Sequence, residues 1–368
     1  MVNILGGDDD SGRELRGLVE SLGAQIAGHE IISVRERKAK FGIGSGKAEE
    51  LAEMAKAVEA DCMVFDWNPS PSQQRNWEAL SGLPVIDRQE LIIRIFAERA
   101  STKEAALQVK LAELSYSLPR LTHKYIDLSR QRGGRYGTKG SGETLLETDR
   151  RQIEKRIDAL KKELKQVVKN RQVQRKRRAQ TGVPVCAIVG YTNAGKSSLL
   201  NALTGSKVLV EDKLFATLDP ATRQFQPAPG MTALLTDTVG FIRNLPHSLI
   251  NAFRSTLEEA SLADLLIHVV DASDPQAAAL CKTTIAVLGE LGAGEVPAVI
   301  VLNKIDRLPA APPDEDAPDD VPEDAPAGEP AEELFRDALR ISVTKGIGLD
   351  ALKARIAEML LESGRQKR

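Results

Sequence analysis

The chain has 368 residues, enough for two or three domains, and 42% of them are apolar, enough to build proper cores. No stretch approaches the roughly 18 consecutive apolar residues of a membrane span, and Met-Val-Asn-Ile-Leu-Gly-Gly-Asp-Asp-Asp at the start has neither a basic n-region nor a cleavage site, so no signal peptide or membrane span is expected. The net charge of −2 hides an asymmetry: residues 308–335 hold ten acids, seven prolines and no Lys or Arg, which leaves about +8 on the rest. Three widely spaced cysteines (Cys62, Cys186, Cys281) fit a reduced cytosol, a cytoplasmic location, and neither a disulfide framework nor a zinc site.

Residues 1–100 read as a small α/β domain. Candidate strands cover 31–34, 62–65 and 84–86, and a helix over 48–60 places Leu51, Met54, Ala55 and Val58 on one face. The alternating glycines of Phe41-Gly42-Ile43-Gly44-Ser45-Gly46-Lys47 suit either a second phosphate loop or a turn before that helix, and the segment lacks the usual phosphate-loop spacing.

Residues 101–180 read as a helical hairpin. The helical pattern begins at Arg88 and runs to Leu118, with Leu107, Leu111, Leu114 and Leu118 as its stripe and Pro119 as its stop. A second helix over 143–178 carries the seam Leu146, Ile153, Ile157, Leu160, Leu164 and Val167. Between them lies a Gly-rich basic loop with Arg130, Arg132, Gly133, Gly134, Arg135, Tyr136 and Lys139, and the second helix ends in Lys169, Arg171, Arg175, Lys176, Arg177 and Arg178. These features suit RNA phosphate contact, with Tyr136 as a stacking ring, or a solvated face followed by an interdomain linker.

Residues 181–368 carry the chemistry. An apolar run, Val185-Cys186-Ala187-Ile188-Val189, leads into Gly190-Tyr191-Thr192-Asn193-Ala194-Gly195-Lys196-Ser197 and a helical run from Ser198. This strand–loop–helix pattern wraps backbone N–H groups around phosphates; Lys196 is placed to reach the β- and γ-phosphates and Ser197 to ligate Mg²⁺. Asp237-Thr238-Val239-Gly240 follows, with Asp237 on the Mg²⁺ side and the Gly240 N–H on the γ-phosphate, and Thr217 lies between in a candidate switch loop. Asn303-Lys304-Ile305-Asp306 ends another apolar run; a carboxylate at Asp306 accepts from both guanine N1–H and the 2-amino group, which adenine does not offer. The run Ile341-Ser342-Val343-Thr344 is placed to offer a backbone N–H to the guanine oxygen. The sequence therefore predicts a GTP site with Lys196, Thr217 and Gly240 in the reaction and Ser197, Thr217 and Asp237 around the metal. The acidic stretch 308–335 is expected to be a disordered insertion within this domain.

Gly-Gly-Arg-Tyr-Gly-Thr-Lys-Gly-Ser-Gly-Glu-Thr at 133–144, Glu147-Thr148-Asp149-Arg150-Arg151 and the phosphate loop together resemble the HflX family of ribosome-binding GTPases. Ser72-Gln73-Gln74-Arg75-Asn76, Ile86-Asp87-Arg88, Gln108-Val109-Lys110-Leu111-Ala112 and Leu118-Pro119-Arg120-Leu121 add to the likeness, which runs from about residue 40 to the end. The resemblance implies an α/β fold in which a P-loop GTPase domain follows a small α/β domain and a long antiparallel helical hairpin. It also implies large-subunit and ribosomal RNA contact, GTP-dependent splitting or rescue of ribosomes under stress, and a monomer when free. Three departures stand out: a single helix over 349–361 where many members carry a further domain, the acidic insertion, and Val343-Thr344 where Ala-Lys is usual.

Phe241 occupies the position after Gly240 where many regulatory GTPases carry a water-orienting glutamine, so slow unaided hydrolysis is expected. Asn193 either stabilises its loop or, as in related potassium-activated GTPases, helps hold K⁺ beside the phosphates. A ribosome-assembly GTPase and a nucleotide-gated docking module are the alternative functions. His268, in the apolar run 265–270, is expected to be a core histidine with its hydrogen bonds satisfied. Deleting residues 312–330 is expected to leave melting temperature and GTP affinity unchanged, because the segment has little apolar surface to bury; scanning calorimetry and nucleotide titration check this.

Overall fold

The computed structural model describes residues 2–5, 10–34, 36–121, 141–179, 182–208, 211, 213–243, 249, 253, 259–308 and 334–366. The acidic stretch 309–333 and the basic loop 122–140 lie outside the described residues. The chain divides into two compact units: residues 1–174 with 213–215 and 244–253, and residues 175–212 with 216–243 and 254–368.

In the first unit, β1 (Val2–Leu5), β2 (Glu30–Ser33), β3 (Met63–Phe65) and β4 (Val85–Asp87) form a parallel sheet in the order β2-β1-β3-β4. Helices α1 (Asp10–Ser21), α2 (Ser45–Ala57) and α3 (Pro71–Ser81) supply the crossovers that parallel pairing demands. Helix α3 starts because Ser70 Oγ accepts from Gln73 N while Gln73 Oε1 accepts from Ser70 N, with Pro71 at the first position, and stops at Gly82 with φ 73°. Its Trp77 is fully buried against Phe41 and Phe65, and its indole N–H donates to Phe41 O at 2.9 Å. Phe41 and Ile43 are core residues and the chain enters α2 at Ser45, so the alternating glycines of this segment form a turn before a helix.

The single helical pattern predicted from Arg88 is two helices, α4 (Arg88–Arg99) and α5 (Lys103–Leu121). Ala100 is extended with ψ 106°, and Thr102 Oγ1 restarts the helix by accepting from Ala105 N. Pro119 does not stop α5, which runs on to Leu121. So near the helix end a proline forfeits one backbone bond only, and the Arg120 guanidinium stacks on the Tyr116 ring at 3.6 Å and donates to Tyr116 O and to Asp87 Oδ2. The buried face of α5 is Ala105, Gln108, Val109, Leu111, Ala112 and Tyr116, which takes in Leu111 alone of the leucine stripe. Helix α6 (Ser141–Ala179) shields the predicted seam positions Ile153, Ile157, Leu160, Leu164 and Val167, and Glu163 pairs with Lys103 of α5 at 2.8 Å.

Polar groups also sit inside this unit. Arg88, 3% exposed, donates to Asp66 and Glu14, each at 2.7 Å. The fully buried Asp87 caps α4 through Glu90 N and accepts from Arg120; burial pushes its carboxyl up, and those two donors oppose the shift. Cys62 is partly exposed, and burial raises its thiol.

The second unit is a six-stranded sheet, β10-β9-β8-β5-β7-β6, built from β5 (Val185–Gly190), β6 (Ala221–Ala228), β7 (Met231–Asp237), β8 (Leu265–Asp271), β9 (Ala298–Asn303) and β10 (Leu339–Arg340). All neighbours are parallel except β6 on β7. Helices α7 (Lys196–Thr204), α8 (Ala277–Glu290) and α9 (Leu349–Gln366) follow β5, β8 and β10. Strands β5 and β8 are buried along nearly their whole length, which is why they read as unbroken apolar runs. One layer of the core joins Ile188, Leu199, Leu235, Ile267, Val301 and Ile356. The thiols of Cys186 and Cys281 are buried and pushed up to about 12 and about 11. Among the described residues no helix is long and apolar enough to cross a membrane.

His268 is buried on β8 as expected, but only half satisfied: Nδ1 lies 3.8 Å from Cys281 Sγ, and Nε2 has no hydrogen-bond partner among the described residues. Burial, with a smaller push from Lys196, lowers its pKa from 6.5 to about 4. The folded chain therefore binds fewer protons here than the unfolded chain between those values. Its stability is complete above pH 6.5 and is lost as pH falls toward 4, by about 3 kcal/mol from this group. Denaturant melts at pH 7 and pH 4.5 check this: wild type should lose more stability than His268→Leu.

Candidate nucleotide-binding site

The site forms at the carboxyl ends of the strands of the second sheet, where open α/β sheets place their ligands. Strand β5 ends at Gly190, whose φ of 146° and lack of a side chain are both required: a Cβ there would stand 2.2 Å from Val269 O. The loop then runs through Tyr191, Thr192, Asn193, Ala194 and Gly195 into α7. Asn193 (φ 60°) and Gly195 (φ 97°) are both left-handed, a geometry that turns successive N–H groups inward around an anion. Phe241 N donates to Gly190 O at 3.1 Å and Thr192 N to Phe241 O at 2.8 Å, which laces this loop to the strand end after Gly240. Tyr191 OH accepts from Arg243 N at 2.7 Å.

Lys196 is buried, and its Nζ donates to Tyr191 O at 2.6 Å. Burial lowers its pKa to about 8, against the opposing pull of Asp237. Ser197 Oγ donates to Asp237 Oδ2 at 2.6 Å, so Thr217 Oγ1, 2.7 Å away, is the donor to Ser197. Ser198 is half-buried in the first turn of α7. Thr238 donates to Ile188 O at 2.7 Å, Val239 is buried, and a Cβ on Gly240 would meet Lys196 Nζ and Thr192 Cα, each at 2.8 Å. The predicted metal residues thus come together as three adjacent oxygen-bearing groups.

These oxygens suit a hard divalent cation. Asp237 Oδ1 is buried and has no hydrogen-bond partner among the described residues, which leaves an oxygen open to a cation; burial raises this carboxyl. Among the described residues no group of three or more His, Cys, Asp and Glu could hold a metal instead.

The base side is built from β9 and the turn after β10. Asn303 Nδ2 donates to Ala194 O at 3.0 Å and its Oδ1 accepts from Val343 N at 3.2 Å. Lys304, with φ 62°, pairs with Asp271 at 2.7 Å. Asp306 sits on an exposed 3₁₀ turn; it accepts from Ser342 Oγ at 2.5 Å and Thr344 Oγ1 at 3.4 Å, and the Ser342 hydroxyl holds its carboxyl below the ordinary value. Lys345 N in turn donates to Ser342 Oγ. Two hydroxyls therefore aim the carboxylate, and within the run Ile341-Ser342-Val343-Thr344, expected to offer a backbone N–H to the guanine oxygen, the Val343 N–H is engaged by Asn303. Sequence reasoning missed Asp271 and the tyrosine hydroxyl of Tyr191, because their partners are distant in the chain. Arg132, Gly133, Gly134, Arg135, Tyr136 and Lys139 all lie outside the described residues.

Residues 185–304 match a family described as 50S ribosome-binding GTPase, and residues 9–97 and 99–178 match the GTP-binding GTPase N-terminal and middle regions. The chain is 54% identical over 303 residues to GTPase HflX of Akkermansia muciniphila, covering 80% of this chain and 69% of that one. It is 45% identical over 296 residues to GTPase HflX of Escherichia coli strain K12, covering 80% and 69%. The chain belongs to the HflX family of GTPases. Another relative, GTPase HflX of Treponema denticola, is 45% identical over 360 residues, covering 95% of this chain and 88% of that one. A crystal structure of SsGBP with GDP aligns over 98% of both chains at 25% identity with a TM-score of 0.51. As a GTPase of this family, the chain takes GTP as its substrate and hydrolyses it.

Truncating Asn303→Ala leaves the buried Ala194 O and Val343 N–H without partners, at roughly 1–3 kcal/mol each. GTP and GDP affinities are expected to fall together by about tenfold to a hundredfold, read by calorimetric titration of both nucleotides.

Proposed function

We propose that this GTPase binds the large ribosomal subunit and, in its GTP state, splits or rescues ribosomes under stress. The observation that carries the reading is the laced GTP cradle in a segment that matches the 50S ribosome-binding GTPase family over residues 185–304. In this reading Lys196 and the loop from Gly190 to Ser198 hold the phosphates, and Asp306 reads the guanine edge. Asp237, Thr238, Val239 and Gly240 close the γ-phosphate side, and Asn303, Lys304, Ser342, Val343 and Thr344 shape the base pocket. Ser197, Thr217 and Asp237 would hold Mg²⁺, which, when bound, neutralises phosphate charge. Asn193, at its left-handed bend, is the residue offered for a K⁺ ligand.

Phe241 supports the view that a partner sets the hydrolysis rate. Its side chain is 2% exposed and its backbone is engaged on both sides, so it offers no group to orient water. The basic loop sequence with Arg132, Arg135 and Lys139 is the proposed ribosomal RNA contact, since clustered cations bind phosphates by counterion release.

Sucrose-gradient sedimentation with 70S ribosomes tests the function. Loss of the 70S peak with a non-hydrolysable GTP analogue is the expected result; stable co-sedimentation without splitting makes the chain a docking module, and binding to immature particles alone makes it an assembly factor. The Arg132→Ala, Arg135→Ala, Lys139→Ala variant is expected to bind large subunits more weakly, with a salt slope flatter by roughly two to three units.

A further inference from the structure

The turn that carries Asp306 starts at a residue held out of its ordinary conformation. Lys304 has φ 62° and ψ 31°, in the left-handed region that a residue with a long side chain avoids unless its surroundings impose it. Ahead of it, the Asn303 side chain is tied to Ala194 O and Val343 N, and the Asn303 carbonyl accepts from Ala272 N at 2.8 Å. Behind it, Ile305 N donates to Ile341 O at 3.3 Å and Arg307 N donates to Lys304 O at 3.0 Å. The bend at Lys304 therefore sets the direction in which the 3₁₀ turn Ile305–Arg307 leaves the sheet, and Asp306 is the middle residue of that turn.

The Lys304 side chain is anchored on the neighbouring strand. Strands β8 and β9 are in register with Asp271 opposite Asn303. Lys304 Nζ reaches Asp271 Oδ2 at 2.7 Å, and the two side chains are only 15% and 21% exposed. The other carboxylate oxygen is occupied: Asp271 Oδ1 accepts from Ser273 N at 2.9 Å and from Ser273 Oγ at 2.6 Å. The carboxylate is thus fixed by its own turn before the lysine meets it. A pair with one partner already ordered and both largely shielded loses less side-chain freedom than an exposed pair, so it holds a geometry as well as neutralising a charge. All of these residues belong to the second unit.

We propose that Asp271 is a positioning residue for base recognition: by holding the Lys304 side chain it keeps the left-handed bend that presents Asp306 to the guanine edge. The inference deepens the reading of Asp306 as the guanine-reading carboxylate, and rests on it. Ser342 and Thr344 aim the carboxylate about its own side-chain bonds, whereas Asp271 acts on the backbone that bears it. One carboxylate has to meet two donors of guanine at once, N1–H and the 2-amino group, and hydrogen bonds weaken steeply when donor and acceptor fall out of line. Hypoxanthine offers N1–H alone. Its disadvantage against guanine therefore reports how well Asp306 is placed, while losses at the phosphate loop lower both nucleotides together.

The test is calorimetric titration of the full chain with GDP and with inosine diphosphate. Asp271→Asn keeps the side-chain shape and an oxygen for Ser273, but puts an amide donor where Lys304 needs an acceptor. It is expected to lower the GDP-to-inosine-diphosphate affinity ratio by roughly threefold to tenfold, part of the worth of one hydrogen bond to a charged group. Lys304→Met should lower the ratio by the same factor, and the double variant no further, because each removes the same pair. If Asp271→Asn does not fold, Lys304→Met decides. An unchanged ratio in a folded variant, including a parallel loss of both nucleotides, overturns the proposal and leaves the pair as packing between two strand ends. So does a double variant whose losses add. Asp306→Ala separates the two levels: if it leaves the ratio unchanged, the assignment of Asp306 falls and the inference with it, whereas if it lowers the ratio and Asp271→Asn does not, the inference alone falls.

Discussion

The nucleotide site depends on one buried amide. Asn303, 2% exposed, donates to the carbonyl of Ala194 in the phosphate loop and accepts from the N–H of Val343 in the base loop. A carboxamide can do both at once because it carries donor and acceptor on one rigid plane. The approach is so close that a Cβ on Gly195 would stand 2.3 Å from Asn303 Nδ2. Glycine at 195 is thus required twice, for its left-handed turn and for the space the amide fills. Through this contact the loop proposed to hold phosphates and the loop proposed to read the base keep a fixed spacing, so neither would have to find the other when nucleotide arrives.

Much of that site was legible in the sequence, because a phosphate loop is contiguous and its chemistry is local. The strand before Gly190, the helix after it and the cluster of Ser197, Thr217 and Asp237 all follow from residue type and order. What could not be read is what joins distant segments: Asn303 lies 109 residues from Ala194 and 40 from Val343, and no local pattern announces either bond. The same limit hid the hydroxyls of Ser342 and Thr344 on Asp306, although both residues were singled out for the base loop.

In the first unit the failures have other causes. The break between α4 and α5 contains neither Gly nor Pro, and only the cap at Thr102 marks it. The leucine stripe of α5 suggested one buried face, whereas Leu111 is its one buried member and Ala105, Gln108, Val109, Ala112 and Tyr116 fill the rest of that face. Helix α3 could have been found from Ser70, Pro71 and Gln73, a complete start signal. The supporting motifs at 72–76, 86–88 and 118–121 supply polar contacts inside the first unit. Gln74 bonds Val85 O and Arg120, Asp87 holds Arg120 and α4, and Arg88 joins Asp66 and Glu14. Removing one member of such a buried set strands a charge, at roughly 3–5 kcal/mol, which ties these residues to folding rather than to ligand contact.

The placement of the sulfurs carries a chemical consequence. Thiolates, not thiols, react with oxidants and alkylating reagents. Cys186 and Cys281 are buried in the second unit with thiols pushed up to about 12 and about 11, so neither offers a thiolate at neutral pH nor a path for a reagent. Cys62 is the one partly exposed cysteine, and it lies in the first unit. Maleimide or peroxide applied to the folded chain therefore addresses a single sulfur, and the intact protein accepts one probe just ahead of the third strand of its amino-terminal sheet while both sulfurs of the second unit stay untouched.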